Sequence, residues 1–216
     1  MTGIRPEKHG IYTGVSVNDF LPNALTLNKF FEKNGYNIAS CGKIYHHKID
    51  TKTQFGKNEM KPKGTWTGRG YVTKEAIKKI ALNIKFNRGP AYEFAPVNDT
   101  IYKDGLNTQN ALKKMEELSK DDAPFFLSVG LSKPHLPFTA PKKYLDMYPI
   151  SDIKLTEIKT PPLNGYNKAI RTGGELKNYY GMPEFYDEID DSLALTLRRA
   201  YSVSYTHLRA HETIAD

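Results

Sequence analysis

Apolar residues recur at helical spacing in four stretches of the chain. The two strongest patterns cover residues 22–34 and 106–119, and Gly35 suits the C′ position that follows the first of these helices. A weaker pattern covers residues 73–84, and a last one covers 187–201. The apolar positions that define the faces of the two strongest helices are Leu27, Phe30, Phe31, Ala111, Met115 and Leu118.

Two shorter stretches have the patterns of β-strands. Residues 36–40 alternate around Ile38, and residues 125–131 are almost continuously apolar, as in a parallel strand covered on both faces. Because a helix precedes each strand, the order predicts an α/β layered fold with a mostly parallel sheet flanked by helices. Residues 49–100 are rich in Lys, Gly, Asn and Thr and predict a long surface excursion, whereas 139–186 predict irregular chain.

Composition narrows the class of protein. The 216 residues are 39% hydrophobic and 25% charged, which suits one globular domain with a substantial core. A mean hydropathy of −0.57 and the lack of a long apolar run exclude a membrane span. One cysteine excludes a disulfide framework and a Cys-rich zinc site. The net charge of +7 indicates anionic partners, namely nucleic acid, acidic lipid, or a sulfated or phosphorylated substrate.

Each predicted strand is followed by a lysine and a histidine. Lys43 and His46 follow the first strand, and Lys133 and His135 follow the second. Binding sites in open α/β sheets gather at the carboxyl ends of strands, so we expect these side chains to meet in one anion-binding crevice. Lysine stabilises a developing oxyanion, and histidine can protonate a leaving oxygen near neutral pH.

Other motifs favour no competing chemistry. The chain has neither a Walker-type phosphate loop nor a dinucleotide fingerprint. His46 and His47 are adjacent and cannot both reach one metal from extended backbone, and no carboxylate cluster accompanies them, so no metal ligand is predicted. Lys43 could activate the nearby Cys41 thiol, but the position of Cys41 at a strand favours a buried structural residue.

Several segments resemble blocks of one enzyme family. Residues 1–6 resemble the Thr-Gly-x-x-Pro stretch that follows a Cys-x-Pro-Ser-Arg signature, and residues 34–46 resemble an Asn-Gly-Tyr … Gly-Lys-x-x-His block. The Lys-Pro-His-x-Pro-Phe sequence within residues 123–148 is the most specific part, and 198–201 resemble the start of a later block. Residues 1–202 are therefore similar to the formylglycine-dependent sulfatases of the alkaline-phosphatase-like superfamily, above all to the iduronate-2-sulfatase branch.

The resemblance implies a sulfuric ester hydrolase that removes sulfate from a sulfated sugar or glycan. In that family Lys43 would hold the nucleophile and a sulfate oxygen, and His46 would hydrogen-bond the nucleophile or help to deprotonate it. His135 would contact the sulfate and the bridging oxygen, where the leaving group is protonated. Lys133 would contact the sulfate or a substrate carboxylate.

The family's nucleophile and metal ligands have no counterpart in this sequence. No Cys-x-Pro-Ser-Arg motif is present, and Cys41 lies at the wrong place to be that residue. The resemblance therefore implies a formylglycine upstream of Met1, and Ca²⁺ ligands before Met1 and after residue 202. Residues 1–202 are expected to be an incomplete, inactive part of a catalytic domain. The parent protein is expected to be periplasmic, secreted or lysosomal, with its targeting signal outside this sequence.

The last residues resemble something other than a protein family. Residues 203–216 are similar to a reading-frame translation of a transposase adapter used in sequencing libraries. They are therefore expected to be non-native, and to pack poorly or to extend into solvent. For that reason the i,i+4 pair His207 and His211 is not interpreted as a metal site.

Two other functions stay open at this point. A phosphate or phosphonate monoester hydrolase of the same superfamily would also need Lys, His and a metal ion. A non-catalytic basic module could bind acidic polysaccharide or nucleic acid, but such modules cluster their basic residues with aromatic residues on one face. The lysines of this chain are scattered, so no nucleic-acid partner is predicted.

Overall fold

A computed structural model describes residues 1–12, 14–158, 160, 162–166, 174–184 and 187–212. The helices are α1 (Pro6–His9), α2 (Val17–Phe20), α3 (Leu27–Lys33), α4 (Lys48–Phe55), α5 (Lys74–Leu82), α6 (Lys103–Leu118), α7 (Lys142–Leu145), α8 (Gly174–Lys177) and α9 (Asp191–Glu212). The strands are β1 (Asn37–Gly42), β2 (Glu59–Met60), β3 (Tyr92–Ala95), β4 (Phe125–Gly130) and β5 (Phe138–Pro141). None of the described helices has an apolar stretch long enough to cross a membrane.

The chain divides into two compact units. The first unit contains Met1–Lys63 and Asp104–Ser132, and the second contains Gly64–Lys103 and Lys133–Asp216. Each unit has its own parallel sheet with helices, which confirms the predicted α/β fold.

The first unit is built around a three-stranded parallel sheet in the order β2-β1-β4. The two strands predicted from the sequence are neighbours, in register from Asn37 opposite Phe125 to Gly42 opposite Gly130. β4 is not covered on both faces as expected, because its side chains are mostly half-buried and Val129 is 47% exposed. β4 has β1 as its strand partner among the described residues, so it lies at an edge of this sheet.

The first predicted helix, over residues 22–34, is shorter than expected and buries a different face. α3 spans Leu27–Lys33, and Leu27 and Phe30 are 45% and 49% exposed. Its buried residue is Asn28, whose Oδ1 accepts a hydrogen bond from the Tyr45 hydroxyl at 2.8 Å. A buried amide is tolerated when it is hydrogen-bonded, so tertiary contacts rather than apolar spacing decide this face.

The second predicted helix is confirmed, although it begins three residues earlier than residues 106–119 and its apolar face is revised. Ala111 and Leu118 are buried as expected, but Met115 is 40% exposed. The polar residues Asp104 and Asn107 share the buried face of α6 with Ala111 and Leu118.

The expectation of a surface excursion over residues 49–100 is wrong, because α4, β2, α5 and β3 all lie there. Only α5, predicted at 73–84, was anticipated. Asp50 in α4 is buried and accepts hydrogen bonds from the Ser16 hydroxyl at 2.7 Å and the Val17 amide at 3.1 Å, so it fixes the start of α2. Burial acts to raise the pKa of this carboxyl, but the hydrogen bonds that it accepts keep the pKa below its usual value.

The second unit contains the two-stranded parallel sheet β3-β5 and helices α5, α7, α8 and α9. Residues 139–186, expected to be irregular, include most of β5 and the short helices α7 and α8. Two buried apolar clusters make up its core, one around Ala91, Tyr179 and Leu197 and another around Ala140, Tyr144 and Val203.

The last helix continues far beyond the predicted residues 187–201. α9 ends at Glu212, and Val203, Ser204, His207 and His211 are buried. The expectation that residues 203–216 pack poorly is therefore wrong over 203–212, and residues 213–216 lie outside the described residues.

The close approach of β1 and β4 at Gly42 leads to a stability prediction. Gly42 has φ +82°, and a Cβ there would lie 2.1 Å from the Gly130 carbonyl oxygen. Gly35 has a similar φ of +83° with no atom within 4 Å of its Cβ position, so it is a matched control. We expect Gly35→Ala to cost about 1 kcal/mol and Gly42→Ala about 3 kcal/mol or more in chemical denaturation. Equal costs for the two variants would show that strand contact at Gly42 is unimportant.

Candidate active site

Lys43 lies where the carboxyl ends of β1 and β4 meet. Its main-chain N–H donates to the Gly130 oxygen at 2.9 Å, and a Cβ at Gly130 would lie 1.8 Å from the Lys43 oxygen. Two glycines thus allow the two backbones to come together at this edge, and the Lys43 side chain is exposed there. The prediction that β1 and β4 are parallel neighbours is thus confirmed.

His46 and His47 have different surroundings although they are adjacent. The Nε2–H of His47 donates to the Gly14 oxygen at 2.7 Å, which commits that imidazole to the main chain. His46 is exposed, and its ring centroid lies 5.1 Å from that of His47. A Cβ added at Gly14 would lie 3.5 Å from the His46 ring. Of the two, His46 is therefore the imidazole that a ligand could reach.

Lys133 and His135 belong to one loop of the second unit. The Lys133 ammonium donates to the oxygens of Pro137 and, at 3.4 Å, of His135, so it closes the loop on itself. His135 Nδ1 donates to the Leu136 oxygen at 2.7 Å, so Nε2 is the ring nitrogen that is left to contact another group. Substrate contact by Lys133 stays a prediction, and so does the meeting of this pair with Lys43 and His46 in one crevice.

Cys41 is the structural residue that the sequence favoured. It is fully buried in β1, where its Sγ lies 3.6 Å from the Met60 sulfur. Burial raises the pKa of the thiol and so disfavours the nucleophilic thiolate.

Sequence reasoning missed several polar residues around these loops. Asp104 in α6 is buried, and its Oδ2 accepts from the Ser132 amide at 2.8 Å, which fixes the chain after β4. In the second unit, the Glu175 carboxylate lies within ion-pair distance of Arg69, Arg88 and His135. Helical spacing could have revealed Asp104, and His135 is a residue that the sequence predicts, whereas no local pattern indicates Glu175, Arg69 or Arg88.

One group of described residues has the geometry of a metal site. Ligand atoms of Asp99, His207 and His211 all lie within 4.8 Å of one another. Two imidazoles and one carboxylate are suited to zinc rather than to calcium, which takes six to eight oxygen ligands. The group does not fit calcium, and two of its three members come from the adapter-like residues, so we assign it no function.

His207 makes the stability of this chain depend on pH. Burial lowers the pKa of His207 to about 3, and nearby His211, Lys133 and Lys143 act in the same direction against Asp99. The native imidazole is thus neutral where the unfolded one, with an ordinary pKa of 6.5, already binds a proton. Stability should therefore fall as the pH is lowered from about 7 to about 3, by at most about 1.4 kcal/mol per pH unit.

Denaturation midpoints measured across this pH range test the prediction. The His207→Gln variant, which cannot take up a proton, should lose much of the slope between about pH 6.5 and pH 4. A slope that is the same in this variant and in the unmodified chain would contradict the assignment to His207.

Comparison with known proteins identifies the family. A family model described as Sulfatase matches residues 1–201. Human iduronate 2-sulfatase is 30% identical over 166 residues, covering 72% of this chain and 29% of that protein. An ulvan-active sulfatase of Formosa agariphila is 29% identical over 191 residues, covering 84% of this chain and 34% of that protein, and an uncharacterized sulfatase of Escherichia coli is 26% identical over 157 residues, or 66% and 31%.

These matches also bear on the fold. The chain spans about a third of the length of the curated relatives it matches. Its parallel sheets flanked by helices agree with the alkaline-phosphatase-like architecture that the resemblance implied. The chain belongs to the sulfatase family.

Proposed function

We propose that residues 1–202 form part of the catalytic domain of a sulfuric ester hydrolase. The observation that supports this most directly is the family match over residues 1–201, together with an exposed lysine at the carboxyl edge between two parallel strands. The match favours an enzyme over a non-catalytic basic module. A phosphate or phosphonate monoester hydrolase remains the alternative, because Lys43, His46 and His135 would serve phosphoryl transfer equally well.

The residues of this chain would handle charge and protons during the reaction. The Lys43 ammonium would stabilise negative charge on the nucleophile and on a sulfate oxygen. His46, exposed three residues later, would hydrogen-bond the nucleophile or take its proton. His135 would protonate the leaving oxygen through Nε2, because its Nδ1 already donates to the Leu136 oxygen. Lys133 would contact the sulfate or a substrate carboxylate, and its ammonium would then give up its hydrogen bonds to the oxygens of His135 and Pro137.

Sulfatases generally use a formylglycine nucleophile and a divalent metal ion. We place the formylglycine upstream of Met1 and propose Ca²⁺ as the metal, held by residues outside this sequence, because the described residues offer no oxygen-rich site.

The names of the relatives support a sulfated carbohydrate as the substrate. The human relative is named iduronate 2-sulfatase, and one relative of Formosa agariphila is named an ulvan-active sulfatase. For the parent protein we propose a sulfated sugar or glycan as the substrate and a periplasmic, secreted or lysosomal location.

We also propose that residues 203–216 are derived from a sequencing adapter. The family match ends at residue 201, two positions before the adapter-like stretch begins at Val203, which supports this origin. The genomic sequence should depart from the present one at about Val203. A locus that encodes residues 203–216 as they stand here would refute the adapter origin.

The test of function uses the full-length parent protein, recovered from the genomic locus and assayed with aryl sulfate and aryl phosphate. Sulfate should be the better substrate, and Lys43→Ala should lower kcat/KM by about 10²- to 10⁴-fold. Lys52→Ala is the matched control, since Lys52 is an exposed lysine in α4 of the same unit. Faster hydrolysis of the aryl phosphate than of the aryl sulfate would favour a phosphate or phosphonate monoester hydrolase. Equal activity of the Lys43→Ala and Lys52→Ala variants would show that Lys43 is not an active-site residue.

A further inference from the structure

Three basic side chains of the second unit surround one exposed carboxylate. Glu175 Oε1 lies 3.1 Å from a guanidinium nitrogen of Arg69 and 3.4 Å from one of Arg88, and Glu175 Oε2 lies 3.6 Å from His135 Nε2. One negative charge therefore faces two permanent positive charges and a third that appears when the imidazole is protonated. The Glu175 side chain is 43% exposed, so solvent and solutes can reach it.

The two arginines are held in place by more than this carboxylate. Arg88 also donates to the Glu175 main-chain oxygen at 3.2 Å, and its guanidinium lies over the Tyr179 ring, 5.2 Å from the centroid. Arg69 also donates to the Tyr179 hydroxyl at 3.4 Å, and Tyr179 is only 2% exposed. A buried aromatic residue thus contacts both guanidinium groups independently of the Glu175 carboxylate.

The backbone that carries Arg88 is anchored as well. Asn83 Nδ2 donates to the oxygens of Arg88 and Asn178, both at 2.9 Å, and the Tyr180 amide donates to the Gly89 oxygen at 2.9 Å. Cations that are already held in position lose little conformational freedom when they bind an anion. Arginine also matches the planar, two-oxygen geometry of carboxylate and sulfate groups.

We propose that Arg69 and Arg88 form a binding site beside His135 for an anionic oxygen group, either a sulfate or a carboxylate, and that Glu175 occupies this site until the ligand displaces it. The role of the site in substrate binding rests on the proposed function. Because His135 is the proposed proton donor, the ligand would be a saccharide with a second anionic group close to the ester that is cleaved. The Glu175 carboxylate would compete with that group, so weakly charged saccharides would not displace it.

The proposal is tested by binding to the purified chain, without any need for turnover. Inorganic sulfate is titrated at about pH 6 and constant ionic strength, and the arginine Nε–H signals are followed by NMR. Exposed ion pairs are individually weak, so we expect Glu175→Gln and Glu175→Ala to bind sulfate about tenfold more tightly than the unmodified chain. Glu75→Gln is the matched control, because Glu75 forms an ion pair with Lys79 in the same unit and its loss changes the net charge equally.

Combined variants show whether the tighter binding uses the proposed groups. Adding Arg88→Ala or Arg69→Ala to Glu175→Gln should abolish the tenfold gain, and two such variants guard against a folding defect in either one. Sulfate affinity that rises equally in Glu175→Gln and Glu75→Gln, or that survives both arginine substitutions, would overturn the proposal.

Two further titrations identify the anionic group. A sugar sulfate and a uronic acid are compared in the Glu175→Gln variant, with a neutral methyl glycoside as the blank. If the sugar sulfate or the uronic acid binds more tightly than the methyl glycoside, the result supports the site and identifies the anionic group that it prefers. Equal binding of the three sugars would argue against a saccharide ligand. A full-length parent without sulfatase activity would refute the proposed function but leave these binding results standing.

Discussion

The purified 216-residue chain should not hydrolyse aryl sulfates, whereas the full-length parent should. Lysine and histidine can stabilise charge and move protons, but this route of ester cleavage also needs a nucleophile and a metal ion. The sequence has no Cys-x-Pro-Ser-Arg motif, and burial raises the pKa of the Cys41 thiol, which disfavours the thiolate. Catalytic residues that act as a unit lose nearly all their effect when the nucleophile is missing, so we expect a rate at least about 10⁶-fold below that of the parent.

The assay compares the chain with the Lys43→Ala, His135→Ala double variant, using an aryl sulfate with added calcium. Both should give the background rate. Turnover by the chain that disappears in the double variant would show that residues 1–216 carry their own nucleophile, and the proposed missing formylglycine would then be wrong.

Deleting residues 203–216 should destabilise the chain by about 3 kcal/mol or more. Val203 is fully buried in a cluster with Ala140 and Tyr144, and the His207 ring lies 5.2 Å from the Tyr144 ring. The deletion exposes this apolar surface, and burial of one such side chain contributes about 1.5 to 3 kcal/mol. The sequence alone, in contrast, predicts that residues 203–216 pack poorly or extend into solvent.

Point variants separate packing from helix length. Val203→Ala removes buried methyl groups and should lower the free energy of unfolding by about 1 kcal/mol or more. Tyr205→Ala, two residues along the same helix, changes a side chain that is 44% exposed and should cost less. Urea denaturation provides the measurement. A deletion without effect would restore the original expectation that the tail does not pack.

The packing of the tail does not conflict with its proposed adapter origin. Residues 203–212 continue a helix that begins at Asp191, and their sequence contains Leu208, Arg209 and Ala210, which favour helix. The hydrophobic effect acts on any apolar side chain that a continuing helix carries over a core. Burial of Val203 therefore shows that it fits this chain, and says nothing of how the sequence arose.

The sequence by itself determined β1 and β4, the helices α3 and α6 that precede them, and the polar loops that follow them. Residues 125–130 form a strand because they are apolar and end in a glycine, and α5 begins after Thr73, whose hydroxyl accepts from the Ala76 amide. The parallel pairing of β1 with β4 followed from the helix that precedes each strand. The sequence therefore predicts Lys43 at a carboxyl edge of the sheet, which is where the residue lies.

Only the tertiary structure decided which polar residues are buried or meet. No local pattern predicts the burial of Asn28 or the hydrogen bonds by which Lys133 closes the loop that it belongs to. The same holds for the cluster around Glu175, which contains Arg69, Arg88 and His135. Arg69 and Glu175 lie 106 positions apart in the sequence. Periodicity reports which face of a helix or strand avoids water, whereas a charge cluster depends on where distant segments pack, and no single segment encodes that.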